Sequence, residues 1–189
     1  GGIQVTQSNF PNTIQVGDIT KLSFKNGVLY SENGNFTIGN IDLVIGGSPC
    51  QSFSSHGDNS GFNGKSGLFW EYIRLLNEIN PKWFLLENVR MKAEWRNIIT
   101  KAMRVNPIEF NSNLVSAQNR DRLYWTNIPF ELPKDRNILY KDILEDLPFR
   151  ALKPFMFNKY GDKIRLHKGV NWILNKKSNC LTTKCLTLK

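Results

Sequence analysis

Residues 41–54 read IDLVIGGSPCQSFS, an apolar run with β-branched residues that passes straight into a glycine-proline loop presenting one cysteine. A continuous apolar run of this length is the signature of a strand covered on both faces, as in a parallel sheet flanked by helices. In such sheets ligands bind in the loops beyond the carboxyl ends of the strands, so this loop would place the Cys50 thiol where chemistry is done.

The rest of the chain is consistent with that sheet. Residues 3–10 have the look of a helix end stopped by Pro11, and residues 13–16 of a short strand ending at Gly17-Asp18. Between residues 22 and 38, apolar and polar residues alternate around Asn26-Gly27 and again around Asn33-Gly34, which predicts a small β-ribbon with two tight turns inserted at the surface. After the loop, which runs to about residue 66, apolar residues at Leu68, Tyr72, Leu75, Leu76 and Ile79 recur with helical period until Pro81. A buried strand at 83–86, an amphipathic helix at 93–105 and strands near 108–115 and 123–126 follow. Strand and helix alternate, which predicts an α/β doubly wound sheet in one domain. Beyond Pro129 the pattern weakens into Pro-rich and Lys-rich segments with one short helix at 141–146.

Composition narrows the function classes. Lys and Arg number 25 against 16 Asp and Glu, a formal net charge of +9, and a nucleic-acid partner would favour that balance as much as simple solubility would. No run approaches the roughly 18–20 apolar residues of a membrane span, and no secretion signal stands at the start, so a cytoplasmic protein without a membrane partner is expected. Cys50, Cys180 and Cys185 lack metal-ligand spacing and His56 and His167 lie far apart, so neither a disulfide framework nor a metal site is expected. The sequence is silent on oligomeric state.

Three loops carry unusual residues: Pro49-Cys50-Gln51 after the first buried strand, Glu87-Asn88-Val89 after the second, and Gln118-Asn119-Arg120-Asp121-Arg122 entering the last. If those strand ends share one edge of an open sheet, a thiol, a carboxylate and two guanidinium groups converge on one ligand. The set suits attack of a thiolate on an electron-poor ring. The acid would support charge on a ring nitrogen, and an arginine would hold a carbonyl or phosphate.

These residues resemble the C5-cytosine DNA methyltransferases. GGSPCQSFS at 46–54 is similar to that family's catalytic motif IV, FLLENV at 84–89 to motif VI and QNRDRLYW at 118–125 to motif VIII; GDIT at 17–20 and GFNGKSGLFWEYIRLL at 61–76 are similar to motifs III and V. Five segments in the family's order cover roughly residues 3–130. The resemblance implies a Rossmann-like sheet and S-adenosylmethionine as cofactor, with double-stranded DNA as substrate in a restriction-modification or phage setting. It further implies that Cys50 attacks C6 of a flipped-out cytosine and that Glu87 holds N3 and the exocyclic amine. Arg122 would hold O2, and Arg120 would contact phosphate or order the catalytic loop. Asp18 would accept from the cofactor's adenine amine with Ile19 against the ring, Pro49 and Leu68 would wall the same pocket, and Gln51, Ser52, Ser54 and Gln118 would face DNA. A eukaryotic member would be nuclear rather than cytoplasmic.

Each residue also has a plainer role open to it. Cys50 could be a small core residue, Glu87 a carboxylate at a helix N-terminus, Asp18 a turn former, and Arg120 and Arg122 a solvated charge cluster. Trp70, Trp83 and Trp95 are expected in the core, and His56 exposed. The family's Gly-rich FxGxG turn and its acidic residue after the second strand are absent, so the sheet is expected to be incomplete at its N-terminus. Residues 178–189, SNCLTTKCLTLK, are similar to the threonine-rich stretch near motif IX, and motif X is absent. Residues 1–130 are therefore expected to form a partial catalytic domain, and 131–189 the start of a short target-recognition region. A chain with these gaps would bind cofactor poorly and turn over slowly. The alternatives are a tRNA methyltransferase of the same family, whose associated Cys-Phe-Thr sequence is lacking here, and a noncatalytic homologue, which would be expected to lose Cys50 or Glu87.

Overall fold

The computed structural model describes residues 2–49, 67–143 and 178–179. The chain divides into two compact units, Gly1–Ile108 with Leu123–Pro129, and Glu109–Arg122 with Phe130–Lys189.

The first unit opens with helix α1 (Gly2–Asn9), as the sequence predicts. The strand expected at 13–16 does not form. Two of its four carbonyl groups accept from side chains instead of a neighbouring strand: Gln7 Nε2 donates to Thr13 O at 2.7 Å and Asn33 Nδ2 to Gln15 O at 2.9 Å. The predicted ribbon is present as β1 (Ser23–Lys25), β2 (Val28–Ser31) and β3 (Gly34–Thr37), all antiparallel. Asn26 and Gly27 both have positive φ (51° and 77°), the two left-handed positions that a type I′ hairpin turn demands. The second turn is centred one residue earlier than expected, on Glu32-Asn33, because Ser31 pairs with Gly34.

The main sheet has, in spatial order, the strands β4 (Leu43–Gly46), β5 (Trp83–Asn88), β8 (Asp121–Thr126) and β6 (Ile108–Asn111). Strand β4 (Leu43–Gly46) runs parallel to β5 (Trp83–Asn88) with helix α2 (Leu68–Ile79) in the crossover, the βαβ unit that strand-helix alternation predicts. Helix α3 (Ala93–Met103) follows β5, then β6 (Ile108–Asn111) and β8 (Asp121–Thr126). Both helices stop at a left-handed residue, Asn80 (φ 48°) and Arg104 (φ 59°), whose N–H bonds back to Leu76 O and Thr100 O.

Strand β8 is antiparallel to β5, with Asn88 opposite Leu123 and Leu85 opposite Thr126. It therefore enters the sheet at the end from which β5 leaves, and the sheet is mixed rather than wholly parallel. Phe69 and Tyr72 of α2, Ile99 and Met103 of α3, Leu86 of β5 and Leu123 and Trp125 of β8 form one buried cluster. Each such side chain contributes about 1.5–3 kcal/mol when taken fully out of water. Trp125, wholly buried, satisfies its indole N–H by donating to Thr100 Oγ1 at 3.0 Å.

Strand β4 departs from expectation. It was predicted to be covered on both faces, yet Leu43 is 41% and Ile45 66% exposed. Side chains alternate along a strand, so Val44 meets the helix layer while Leu43 and Ile45 point to the opposite face, which the described residues leave open.

In the second unit the strand expected at 108–115 ends at Asn111, whose Oδ1 accepts from Asn113 N at 2.9 Å and caps a 3₁₀ turn at Ser112–Leu114. Short strand β7 (Gln118–Asn119) pairs in parallel with β9 (Ser178–Asn179). The helix expected at 141–146 begins as a 3₁₀ turn at Tyr140–Ile143; its remainder lies outside the described residues.

Candidate active site

The loop that leaves β4 is built by contacts from every residue described in it. Gly46 lies against the ring of Tyr72: a β-carbon there would come within 2.5 Å of Cδ2 and Cε2. Tyr72 reaches across β4 to β5, its hydroxyl 3.2 Å from Leu85 O and 3.5 Å from Val44 O, and burial pushes its pKa upward, so it stays neutral. Gly47 runs beside Glu87: a β-carbon on it would stand in ordinary contact, 3.4 Å from Oε2. Ser48 is held by Asn88, whose Nδ2 donates to Ser48 Oγ at 3.0 Å while its Oδ1 accepts from Val89 N at 2.8 Å. Asn88 is 1% exposed, so this pair is a buried tie between the two strand ends. Pro49 follows half-buried, and Cys50 is the next residue of the chain.

Glu87 sits within β5, opposite Tyr124 of β8, and is half-buried. The plainer role open to it, a carboxylate at a helix N-terminus, is excluded because the helix begins six residues later at Ala93. What the structure brings together here is therefore the carboxylate of Glu87 and the backbone that leads into Cys50. Cys50, Gln51, Ser52, Ser54 and His56 lie outside the described residues.

The Asp18 turn is a second candidate element of the same unit. Asp18 Oδ1 accepts from both Thr20 N and Thr20 Oγ1 at 2.9 Å, capping the 3₁₀ turn Ile19–Lys21. The Thr20 backbone bond, aided by its hydroxyl, pulls the Asp18 pKa below its ordinary value and keeps an acceptor-only carboxylate. Asp18 is thus the turn former that one reading proposed, and the turn holds the group in place. Ile19 is half-buried, and its carbonyl accepts from Arg74 Nη2 at 3.1 Å. Hydrogen bonding to Glu78, opposed by some desolvation and aided by Glu71, raises the Arg74 pKa and fixes its charge. Leu68 opens helix α2, also half-buried. An ionised acceptor beside an apolar side chain fits the amino donor edge and flat face of an adenine ring.

In the second unit, one asparagine organises the segment that carries the arginines. Asn111 Nδ2 donates at 2.7 Å to Asn119 Oδ1 and to Asp121 Oδ1, and its Oδ1 accepts from Arg120 N at 3.1 Å. Gln118 pairs with Ser178, and its carbonyl accepts from Ser112 Oγ at 2.8 Å. Arg122 Nη1 donates to the neighbouring Asp121 O at 2.7 Å.

Sequence reasoning missed Asn88, Tyr72 and Asn111, which hold loops rather than face a ligand. The signal was present in the buried asparagine next to Glu87 and in the asparagine closing β6. It also placed Trp70 in the core, yet Trp70 is 45% exposed at the first turn of α2, tilted against buried Phe69 at a centroid distance of 4.9 Å. Trp83 and Trp95 are half-buried, each with a lysine ammonium over its ring, Lys82 at 5.2 Å and Lys92 at 5.0 Å. Among the described residues, no group of three or more His, Cys, Asp or Glu side chains could hold a metal ion, and no helix is long and apolar enough to cross a membrane.

A family model described as C-5 cytosine-specific DNA methylase matches residues 3–152. The chain is 33% identical over 153 residues to the orphan methyltransferase M.SPRI of Bacillus phage SPR, covering 72% of this chain and 32% of that protein. It is 37% identical over 137 residues to the type II methyltransferase M.FnuDI of Fusobacterium nucleatum, covering 59% and 39%. A solved structure from E. coli, of a prophage-encoded chain assigned as a DNA modification methyltransferase, superposes with a TM-score of 0.57 at 25% identity, over 78% of this chain and 46% of that one. The chain thus spans less than half the length of each of these relatives.

Proposed function

Because the chain belongs to the C-5 cytosine-specific DNA methylase family, we propose that it carries the catalytic machinery of a DNA (cytosine-5)-methyltransferase acting through a covalent Cys50 adduct. The observation that carries this reading is the tie between the two strand ends: Asn88 holds Ser48, and Gly47 passes against Glu87. The chain can therefore deliver Cys50, two residues beyond Ser48, and the Glu87 carboxylate to one substrate.

In this reading the base leaves the stack at a cost of a few kcal/mol, since its reacting carbons are inaccessible within the duplex. The Cys50 thiolate forms an S–C6 bond, and the ring electron pair moves to C5. Glu87 shares a carboxyl proton with N3 and accepts from the exocyclic amine, so that negative charge developing in the ring is neutralised as the adduct forms. Arg122 holds O2 and Arg120 orders the loop or a phosphate, while Gln51, Ser52, Ser54 and Gln118 face DNA. S-adenosylmethionine, when bound, supplies the methyl group. Asp18 accepts from its adenine amine, Ile19 lies against the ring, and Pro49 and Leu68 complete the wall. The C5 proton then passes to solvent water, its electron pair re-forms the C5–C6 double bond and the S–C6 bond breaks, so that the thiolate leaves; cysteine suits both attack and departure. Residues 1–130 hold this machinery, and 131–189 begin the part that reads the target.

Transfer of tritium from labelled S-adenosylmethionine to duplex DNA by the full-length protein, with tRNA as the competing substrate, tests the proposal. Transfer to DNA that is abolished in Cys50→Ser, and that leaves a trapped adduct on 5-fluorocytosine DNA, is expected. Undiminished transfer by Cys50→Ser would sink the mechanism, and labelling of tRNA alone would sink the choice of DNA.

A further inference from the structure

The β1-β2-β3 ribbon, read from sequence as a surface insertion, is bound to the Asp18 turn at its tip. Glu32, in the β2-β3 turn, accepts from the backbone N–H of Asp18 at 2.9 Å and pairs with Lys21 on the far side of the same turn. Asn33 beside it donates to Gln15 O at 2.9 Å, just before the turn. Gly17 takes φ +90°, and a side chain on it would run into the Glu32 carboxylate, so the turn and the carboxylate are fitted to one another. From the opposite side Arg74 donates to Ile19 O, and Glu78, its ion-pair partner, accepts from Phe24 N of β1 at 2.8 Å. Ribbon, turn and helix α2 thereby form one closed set of polar contacts around residues 17–21.

We propose that Glu32 is a positioning residue for the cofactor, holding the Asp18 carboxylate in register with the adenine amine through the Asp18 backbone N–H. The proposal rests on the assignment of Asp18 to the adenine. An exposed ion pair such as Glu32 with Lys21 stabilises little by itself. The contribution of Glu32 is geometric, because a carboxylate that swings by an ångström loses a directional hydrogen bond to one exocyclic group.

The test measures binding of S-adenosylhomocysteine and of S-inosylhomocysteine, which has a 6-oxo group in place of the 6-amino group, by calorimetry on the intact protein. Wild type prefers the amino compound. Glu32→Ala is expected to bind it at least about tenfold more weakly, the scale of one hydrogen bond to a charged acceptor, and to lose most of the preference. Glu32→Gln, whose amide oxygen can still accept from Asp18 N–H, is expected to keep both. Glu32→Asp retains the charge but withdraws the carboxylate by one methylene; it should behave like Glu32→Ala and covers the case in which truncation unfolds the ribbon. A uniform weakening toward both nucleosides with the preference intact would reduce Glu32 to a structural role and overturn the proposal, as would unchanged binding. Asp18→Asn separates the two layers: it should erase the preference, and a preference that survives it overturns the Asp18 assignment whatever Glu32 does.

Discussion

Replacement of Gly46 by alanine is the sharpest test of how β4 and α2 are joined. The added β-carbon would meet Tyr72 Cδ2 and Cε2 at 2.5 Å, whereas carbon atoms pack at about 3.5–4.0 Å, so ring or strand must retreat by roughly 1 Å. Retreat is opposed on both sides. Tyr72 is buried against Phe69 and Leu86, and its hydroxyl bonds to Leu85 O on the neighbouring strand. Overpacking of this kind costs about 1–3 kcal/mol, and the strained hydroxyl bond places the expected loss near the middle, about 2 kcal/mol. Urea unfolding followed by fluorescence should show a lower midpoint with an unchanged slope, and buried Trp125 in the same cluster is one reporter. Tyr72→Leu removes the two offending ring carbons. The double variant should then recover at least about 1 kcal/mol relative to the sum of the single changes, the mark of residues in contact. A Gly46→Ala protein within about 0.5 kcal/mol of wild type, or a strictly additive double variant, would refute the packing argument.

Asn88→Ala should destabilise the protein by about 1–2 kcal/mol, because the half-buried Ser48 hydroxyl and Val89 N–H both lose their partner; denaturant midpoints check this, and the accompanying Ser48→Ala change should restore part of the loss. Asn111→Ala should loosen the segment that carries Arg120 by removing four hydrogen bonds at once, read as faster amide exchange of Arg120 and Asn113, with exchange unchanged at Trp125. The Asp18 carboxylate should titrate by carbon-detected NMR with a midpoint below its ordinary value of 3.8, since the Thr20 bonds favour the charged form. Its folded pKa is depressed, so its contribution is fully present above the unfolded value and is lost as pH falls through the lower folded one. Thr20→Val should move the midpoint up, and a wild-type midpoint at or above 3.8 would contradict the capping geometry.

Much of the architecture was legible because the physics involved is local. Asn26-Gly27 can only be a tight hairpin turn, the α2 spacing of Leu68, Tyr72, Leu75 and Ile79 can only bury one helix face, and the apolar runs into Gly46 and Asn88 mark strands. The candidate residues Asp18, Glu87, Arg120 and Arg122 were visible as chemistry at strand ends and turns. Where the sequence misled, the deciding partner was distant. Residues 13–16 give the carbonyls of Thr13 and Gln15 to the side chains of Gln7 and Asn33 rather than to a strand, and the exposure of Leu43 and Ile45 went unseen because periodicity reports that a strand is apolar without reporting which faces are covered.

By itself the sequence determined which groups are available: a thiol, a carboxylate and two guanidiniums on loops after or before strands, in an order that resembles one enzyme family. Only the tertiary structure decided that β8 runs antiparallel and so enters beside the exit of β5, and that Asn88 ties the loop before Cys50 to the strand of Glu87. It also decided that a ribbon residue, Glu32, grips the Asp18 turn fourteen positions earlier. Strand direction and side-chain reach depend on contacts between residues far apart in the chain, and no local pattern encodes them.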